Sequence, residues 1–378
     1  MSDRLFSSDC HVVEPIDLWN DRLPSGLRER APRRQPREGG GWDIVIHVGG
    51  KAVRAMTFEA ENFEHDDDQP GPGSGYEPEE RMKDLRADGL SGEVLYPTMG
   101  NFGWSMPEAD VSAAYAAVYN DWLAETFGSR PDFFVCPGMV PVHDIDIAVA
   151  EIERIARLGL HGAMLPLTPP EGRPYHLPEY EPLWEALDAQ ALPVSAHIVT
   201  GTPAHVLAST SVHRESAPPI SLLGEIRGAA PAQVMLHDLV VGGVLERHPE
   251  LHFVMVESGI AWLGWLMESM DSIHERAPMR RARRAAGLSL RPSEYLKRQC
   301  HATFMSDRIG VANRAVTGTD ALLWGNDYPH PEGTYPNSVA AVSDLFAGVS
   351  DEERRAMTGG TAARIWGFEF GGGFEPGA

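Results

Sequence analysis

The chain has 378 residues, of which 43% are hydrophobic and 23% charged, and its formal net charge is -22. That is globular composition with length enough for a large core. So acidic a chain, with Lys51, Lys83 and Lys297 as its only lysines, repels phosphate backbones and anionic lipid, which excludes nucleic acid and membrane surfaces as expected partners and leaves small molecules. Cys10, Cys136 and Cys300 form no C-x-x-C pair, and Cys10 and Cys136 lie in apolar runs, so buried thiols are expected rather than disulfides. No signal-like segment and no apolar run of about 18 residues is present, and the expectation is a cytoplasmic protein.

Short apolar runs then recur along the chain, at residues 4–9, 92–96, 133–139, 162–166, 193–197, 252–256, 301–304 and 321–325. Runs of this length with little alternation suit strands buried on both faces, as in a parallel sheet. Residues 20–78 do not fit one strand–helix unit. They hold an Arg/Pro-rich piece at 28–37, a hairpin-like piece at 42–56 turning at Gly49-Gly50, and a Gly/Pro/Asp-rich loop at 66–76. The acidic run Glu64-His65-Asp66-Asp67-Asp68 reads as a solvated loop rather than a second metal site. Segments 111–127, 145–158 and 182–190 carry apolar residues at the three- and four-residue spacing of helices. Eight strands alternating with helices predict an α/β fold, a (β/α)8 TIM barrel with an insertion after the first strand. One domain is expected over 1–370, its insertion at about 20–78 partly capping the barrel mouth, with a disordered Gly-rich tail at 371–378.

Barrel enzymes carry their chemistry at the C-terminal ends of the strands. The first run ends in Asp9-Cys10-His11, and in an extended segment Asp9 and His11 face one way while Cys10 faces the other. The fifth run ends in His197, the sixth in Glu257, and the eighth leads to Asp327 within Gly325-Asn326-Asp327-Tyr328-Pro329-His330. Each alone has an ordinary explanation, a hydrogen-bonded strand-end His or an Asp capping a helix. Converging on one barrel mouth, they are donors suited to Zn²⁺, Mn²⁺ or Fe²⁺. Tyr96, Trp104, Phe304 and His330 lie near the expected rim and are candidates for substrate contact, with core packing an equal reading for the aromatics. Asp307 and Arg308 follow the seventh run and could bind substrate or pair locally. His237, His248 and His252 read as structural or surface residues. No P-loop, G-x-G-x-x-G or G-x-S-x-G stands in a suitable context.

Four stretches carry a family resemblance: Ser8-Asp9-Cys10-His11-Val12-Val13-Glu14-Pro15, Pro193-Val194-Ser195-Ala196-His197, Val256-Glu257-Ser258-Gly259-Ile260-Ala261-Trp262, and Gly325-Asn326-Asp327-Tyr328-Pro329-His330-Pro331-Glu332-Gly333. With residues 81–98 and Arg247-His248-Pro249-Glu250-Leu251, they span nearly the whole chain. The chain resembles the amidohydrolase superfamily, in particular the amidohydrolase-related branch of aminocarboxymuconate-semialdehyde decarboxylase and the resorcylate decarboxylases. The resemblance implies Asp9, His11, His197 and Asp327 as ligands of one divalent metal, zinc first and manganese or iron next. Two positions depart from the family pattern. It often opens with His-x-His or Glu-x-His, where this chain has Asp9, and it often has a His where this chain has Glu257.

The resemblance implies a metal-dependent decarboxylase of a small aromatic or unsaturated acid. Asp327 would be the proton donor, Glu257 would position substrate or water, and Tyr96, Phe304, Arg308 and His330 would contact substrate. A metal-dependent hydrolase of an amide, ester, lactone or C–C bond shares almost every one of these residues, and a non-catalytic binding barrel is a third reading. A homodimer is the expected assembly.

Overall fold

A computed structural model describes residues 5–38, 41–48, 50–58, 75–209 and 221–369 of the chain. The acidic run at 64–68, most of the loop at 66–76, Gly49 and the tail at 371–378 lie outside the described residues. Two parallel sheets form the centre. The first orders β1 (Leu5–Val12), β5 (Leu90–Pro97) and β6 (Phe134–Val135). The second runs β7 (Pro137–Met139), β8 (Gly162–Pro166), β9 (Val194–His197), β10 (Phe253–Val256), β11 (Cys300–Phe304) and β12 (Leu322–Trp324), each beside its sequence neighbour. These are the eight apolar runs, with one divided. Pro137 has no N–H to give a ladder, and the run 133–139 splits around Cys136 into β6 and β7. β1 extends to Val12, so Asp9 and His11 stand within the strand.

Backbone bonds tie β1 to the chain that follows β12: His11 N donates to Tyr328 O at 2.7 Å and Asp327 N to Asp9 O at 2.8 Å. Gly325 makes that approach possible. A Cβ there would lie 2.4 Å from Asp9 Cβ, so any larger residue would push the two segments apart.

Helices Ala109–Phe127, Ile145–Arg157 and Glu181–Ala189 cover the predicted helical segments within two residues at either end. Asp144 caps the second, accepting from Asp146 N and Ile147 N. Between β1 and β5 lies a three-stranded antiparallel sheet, β2 (Arg33–Pro36), β3 (Trp42–Val48) and β4 (Lys51–Phe58). The hairpin expected at 42–56 forms β3 and β4, and the Arg/Pro-rich piece adds β2 at the edge. Among the described residues, no helix is long and apolar enough to cross a membrane. All three cysteines are buried and unpaired.

Candidate metal centre

β1, β9, the turn after β10 and the segment after β12 bring five predicted side chains together. His11 Nε2 lies 2.9 Å from His197 Nε2. Glu257 Oε2 is 3.1 Å from His197 Nε2 and 3.9 Å from His11 Nε2. Asp327 Oδ1 is 3.5 Å from His11 Nε2, and Asp9 Oδ1 is 4.0 and 3.9 Å from the two imidazoles. Asp9, His11, His197 and Asp327 are almost wholly buried, and Glu257 is partly open.

The protons decide what this cluster can hold. His11 Nδ1 is 3.0 Å from Pro97 O, and His197 Nδ1 is 2.9 Å from Ile198 O. A carbonyl only accepts, so each neutral ring keeps its proton on Nδ1. With both rings neutral the two Nε2 atoms face each other at 2.9 Å as lone pairs; against the pull of burial, the bond to Glu257 raises His197 above its ordinary range and favours a proton on that Nε2. Burial and the neighbouring His330 and His197 hold His11 well below the usual imidazole range, which favours its neutral form. Around this pair, Asp9 Oδ1 and both oxygens of Asp327 are buried and accept no hydrogen bond from the described residues. Buried acceptors without hydrogen bonds are costly, and a cation among them lowers the cost. The side chains offer two sets of donor atoms lying within 4.8 Å of one another, Asp9 with His11 and His197, and His11 with Asp327 and His330. Two imidazoles and several carboxylates suit a borderline divalent ion.

The carboxyls share the field. Burial pushes Asp9 well above the usual range, against the opposing pull of His197. Burial likewise lifts Asp327 to about 6, opposed by His330 and helped by Glu257. Burial acts upward on Glu257 too, but the bond to His197 outweighs it and the group ends below its ordinary value. His330 stacks on His11 with ring centroids 4.1 Å apart, and its Nδ1 lies 3.1 Å from Asp327 Oδ1 without hydrogen-bond alignment.

The remaining predicted residues divide. Tyr96 is buried against both imidazoles, 5.7 Å from His197 and 6.5 Å from His11 between ring centroids. Phe304 and Arg308 are not brought to the cluster. Thr303 faces the centre, so by strand alternation Phe304 turns outward and packs on Phe346. Arg308 is exposed and pairs with Asp344. Trp104 is core, its Nε1 donating to Val140 O. Asp307 accepts from Ile260 N, Ala261 N and Gly310 N, tying the turn after β10 to the chain after β11. His248 and His252 are structural, as expected: His248 bonds Asp188 and Glu181, and His252 bonds His301.

Several supporting residues escaped the sequence reading. Arg81 and Glu93 are fully buried and form a bidentate pair. Arg81 also donates to His11 O at 2.7 Å and Tyr328 O at 3.2 Å, clamping the two segments that carry ligands. A Glu inside the apolar run 92–96 was the available signal, since a charge there needs a buried partner. Glu14 accepts from Met99 N and Gly100 N, fixing the loop after β5. Thr303 Oγ1 donates to Asp9 Oδ2 at 2.9 Å and accepts from Glu257 N at 2.6 Å. Glu257 and Asp327 both have left-handed backbones, with φ of +57° and +56°, a costly state for non-glycine residues that clusters at functional sites.

Comparison with known proteins gives the family. Residues 9–368 match the family model described as Amidohydrolase, and the chain belongs to that family of enzymes. A gamma-resorcylate decarboxylase from Rhizobium sp. is 26% identical over 273 residues, covering 69% of this chain and 78% of that protein. Among solved structures, an amidohydrolase from Mycobacterium avium subsp. paratuberculosis superposes with a TM-score of 0.78 at 18% identity, covering 98% of this chain and 100% of that one. A 5-carboxyvanillate decarboxylase from Novosphingobium aromaticivorans, solved with manganese and 3-methoxy-4-hydroxy-5-nitrobenzoic acid, superposes at 0.66 with 18% identity over 97% of each chain. The relatives and structural neighbours thus include decarboxylases of aromatic acids.

Proposed function

We propose that the chain is a metal-dependent decarboxylase of a small aromatic carboxylic acid. The observation that carries this reading is the pair of Nε2 atoms facing each other at 2.9 Å, each ring with its Nδ1 on a carbonyl, among buried carboxylate oxygens that accept no hydrogen bond from the described residues. Asp9, His11, His197 and Asp327 would hold one divalent ion. Manganese in the carboxyvanillate decarboxylase supports that metal beside zinc and iron(II), all of which suit the donor set. Such an ion supplies a Lewis acid and template for the substrate carboxylate or a hydroxyl next to it.

The chain's own groups move the proton. Asp327, fully buried in the cluster, gives a proton to the ring carbon that bears the carboxylate. The bond from that carbon to the carboxylate then breaks, CO₂ leaves, and the bonding electron pair restores the aromatic ring. His330, partly open to solvent and 3.1 Å from Asp327, is placed to return a proton. Tyr96 forms a buried wall behind both imidazoles.

The same reading takes the chain as one domain over 1–370, its two parallel sheets as a single closed eight-stranded barrel, and the antiparallel sheet as an insertion beside the barrel mouth. The backbone bonds from the chain after β12 to β1 support closure, as does the succession of β6 and β7 across Cys136. The test of function is turnover of hydroxylated benzoic acids in deuterated water. CO₂ release with deuterium on the product carbon is expected. Label entering a cleaved bond from ¹⁸O-water, with no acid losing CO₂, would make the chain a hydrolase instead.

A further inference from the structure

The centre holds more acid than the four expected ligands supply, and the surplus group is the best placed. We propose that Glu257 is itself a ligand of the metal, supplying the reach that Asp9 lacks, rather than a free acid–base group. This rests on the metal centre proposed above. Measured from the two imidazole nitrogens, Glu257 Oε2 stands at 3.1 and 3.9 Å, whereas Asp9 Oδ1 stands at 3.9 and 4.0 Å. The carboxylate nearer to the His pair is therefore the one on β10's end, not the one on β1. Atoms that share one ion at about 2.0–2.2 Å each lie no more than roughly 4.4 Å apart. The separations among His11 Nε2, His197 Nε2 and Glu257 Oε2 are 2.9, 3.1 and 3.9 Å, all inside that limit.

Thr303 builds this arrangement. Its one hydroxyl donates to Asp9 Oδ2 and receives Glu257 N–H, so a single buried group ties both acidic segments together. The bond to Asp9 occupies Oδ2 and leaves Oδ1 as that residue's oxygen toward the imidazoles. The bond from Glu257 N anchors a residue whose φ of +57° a strand would not adopt. A shorter Asp as the first ligand and a carboxylate after β10 are thus two halves of one rearrangement. Ligating side chains are oriented by such outer partners, and their loss weakens metal binding.

The experiment is manganese affinity of the full chain, read by chelator competition, with the spectrum of bound Mn²⁺ recorded alongside. One Mn²⁺ per wild-type chain is expected. Glu257→Gln, which keeps size and removes charge, should weaken binding at least about 10-fold and alter the spectrum. Glu257→Asp keeps the charge and shortens the arm, and should also weaken binding. Thr303→Val should weaken it about 10- to 100-fold, with Thr303→Ser close to wild type, which keeps the test decisive if the Glu257 variants fold poorly. Binding by Glu257→Gln or Thr303→Val within twofold of wild type would overturn the inference and leave the metal centre standing. Full affinity in Glu257→Asp with loss in Glu257→Gln would mark a distant field effect and overturn direct ligation. A wild-type chain that takes up no Mn²⁺ would remove the centre itself.

Discussion

Among the described residues, two pairs of histidines meet nitrogen to nitrogen, at opposite ends of the strands, and their outer nitrogens are bound differently. Near the N-terminal ends of β10 and β11, His252 Nδ1 is 3.0 Å from His301 Nε2, and His301 Nδ1 is 2.6 Å from Asp320 O. His301 gives its proton to that carbonyl, so its Nε2 accepts from His252, and the pair is complete. At the C-terminal ends, His11 and His197 both give their Nδ1 protons to carbonyls, so with both rings neutral the facing nitrogens have no proton between them. The surroundings repeat the contrast. His248 is bonded on both ring nitrogens, whereas Asp327 has two buried oxygens with no hydrogen bond among the described residues. The same residue types therefore build a finished support at one end and an open cluster at the other, the division that the proposed barrel would have, with stability and chemistry at opposite ends.

The largest expected effect falls at the open end. Asp327→Asn keeps the shape of the side chain and removes its ability to carry the proton, and turnover of an accepted aromatic acid should drop by about 10²–10⁴-fold in a folded protein. Near-normal CO₂ release from that variant would take Asp327 out of the mechanism.

Next comes the clamp beneath the open end. Arg81→Met leaves Glu93 buried without its arginine and removes one donor each from the carbonyls of His11 and Tyr328. A loss of about 3–5 kcal/mol is expected, read as a lowered denaturation midpoint. A drop under 1 kcal/mol would show that the pair is not a main support.

The closed end predicts a smaller effect, in pH dependence. Burial pulls His301 down to about 3, whereas an unfolded chain titrates near 6.5. Below pH about 6.5 the unfolded state binds the extra proton, so this contribution to stability is complete above that pH and is lost as pH falls toward 3. The loss reaches at most about 1.4 kcal/mol per pH unit. His301→Gln should therefore lose less stability than wild type between pH 7 and pH 5, with its metal content unchanged. An identical slope in the two proteins would refute the assignment.

Arg308→Ala should do least. Its partner Asp344 is as exposed as the guanidinium, and surface pairs contribute about 0–1 kcal/mol. Turnover within twofold of wild type is expected, and a hundredfold loss would return Arg308 to the site.

The contrast also shows what the sequence made legible. Strand positions followed from uninterrupted apolar runs, and Asp9, His11, His197, Glu257 and Asp327 from the polar residues that end them, because strand ends converge. The motif Gly325-Asn326-Asp327 carries its own reason, since only glycine admits the contact with Asp9. Proton positions were not legible. That His11 and His197 have committed their Nδ1 protons depends on the carbonyls of Pro97 and Ile198, which side-chain letters do not reveal. Nor was the reach of Thr303 to Asp9, a bond between residues 294 positions apart. Phe304 and Arg308 stand near a strand end in sequence, but the alternation of side chains and the exposure of the next helix send them elsewhere.

The most direct measurement is an anomalous-difference map from crystals of the protein grown with manganese. A cation bridging the open pair predicts one peak at about 2.0–2.2 Å from both His11 Nε2 and His197 Nε2, and none between His252 and His301. Two imidazoles still in contact at hydrogen-bond distance, with no peak beside them, would contradict it.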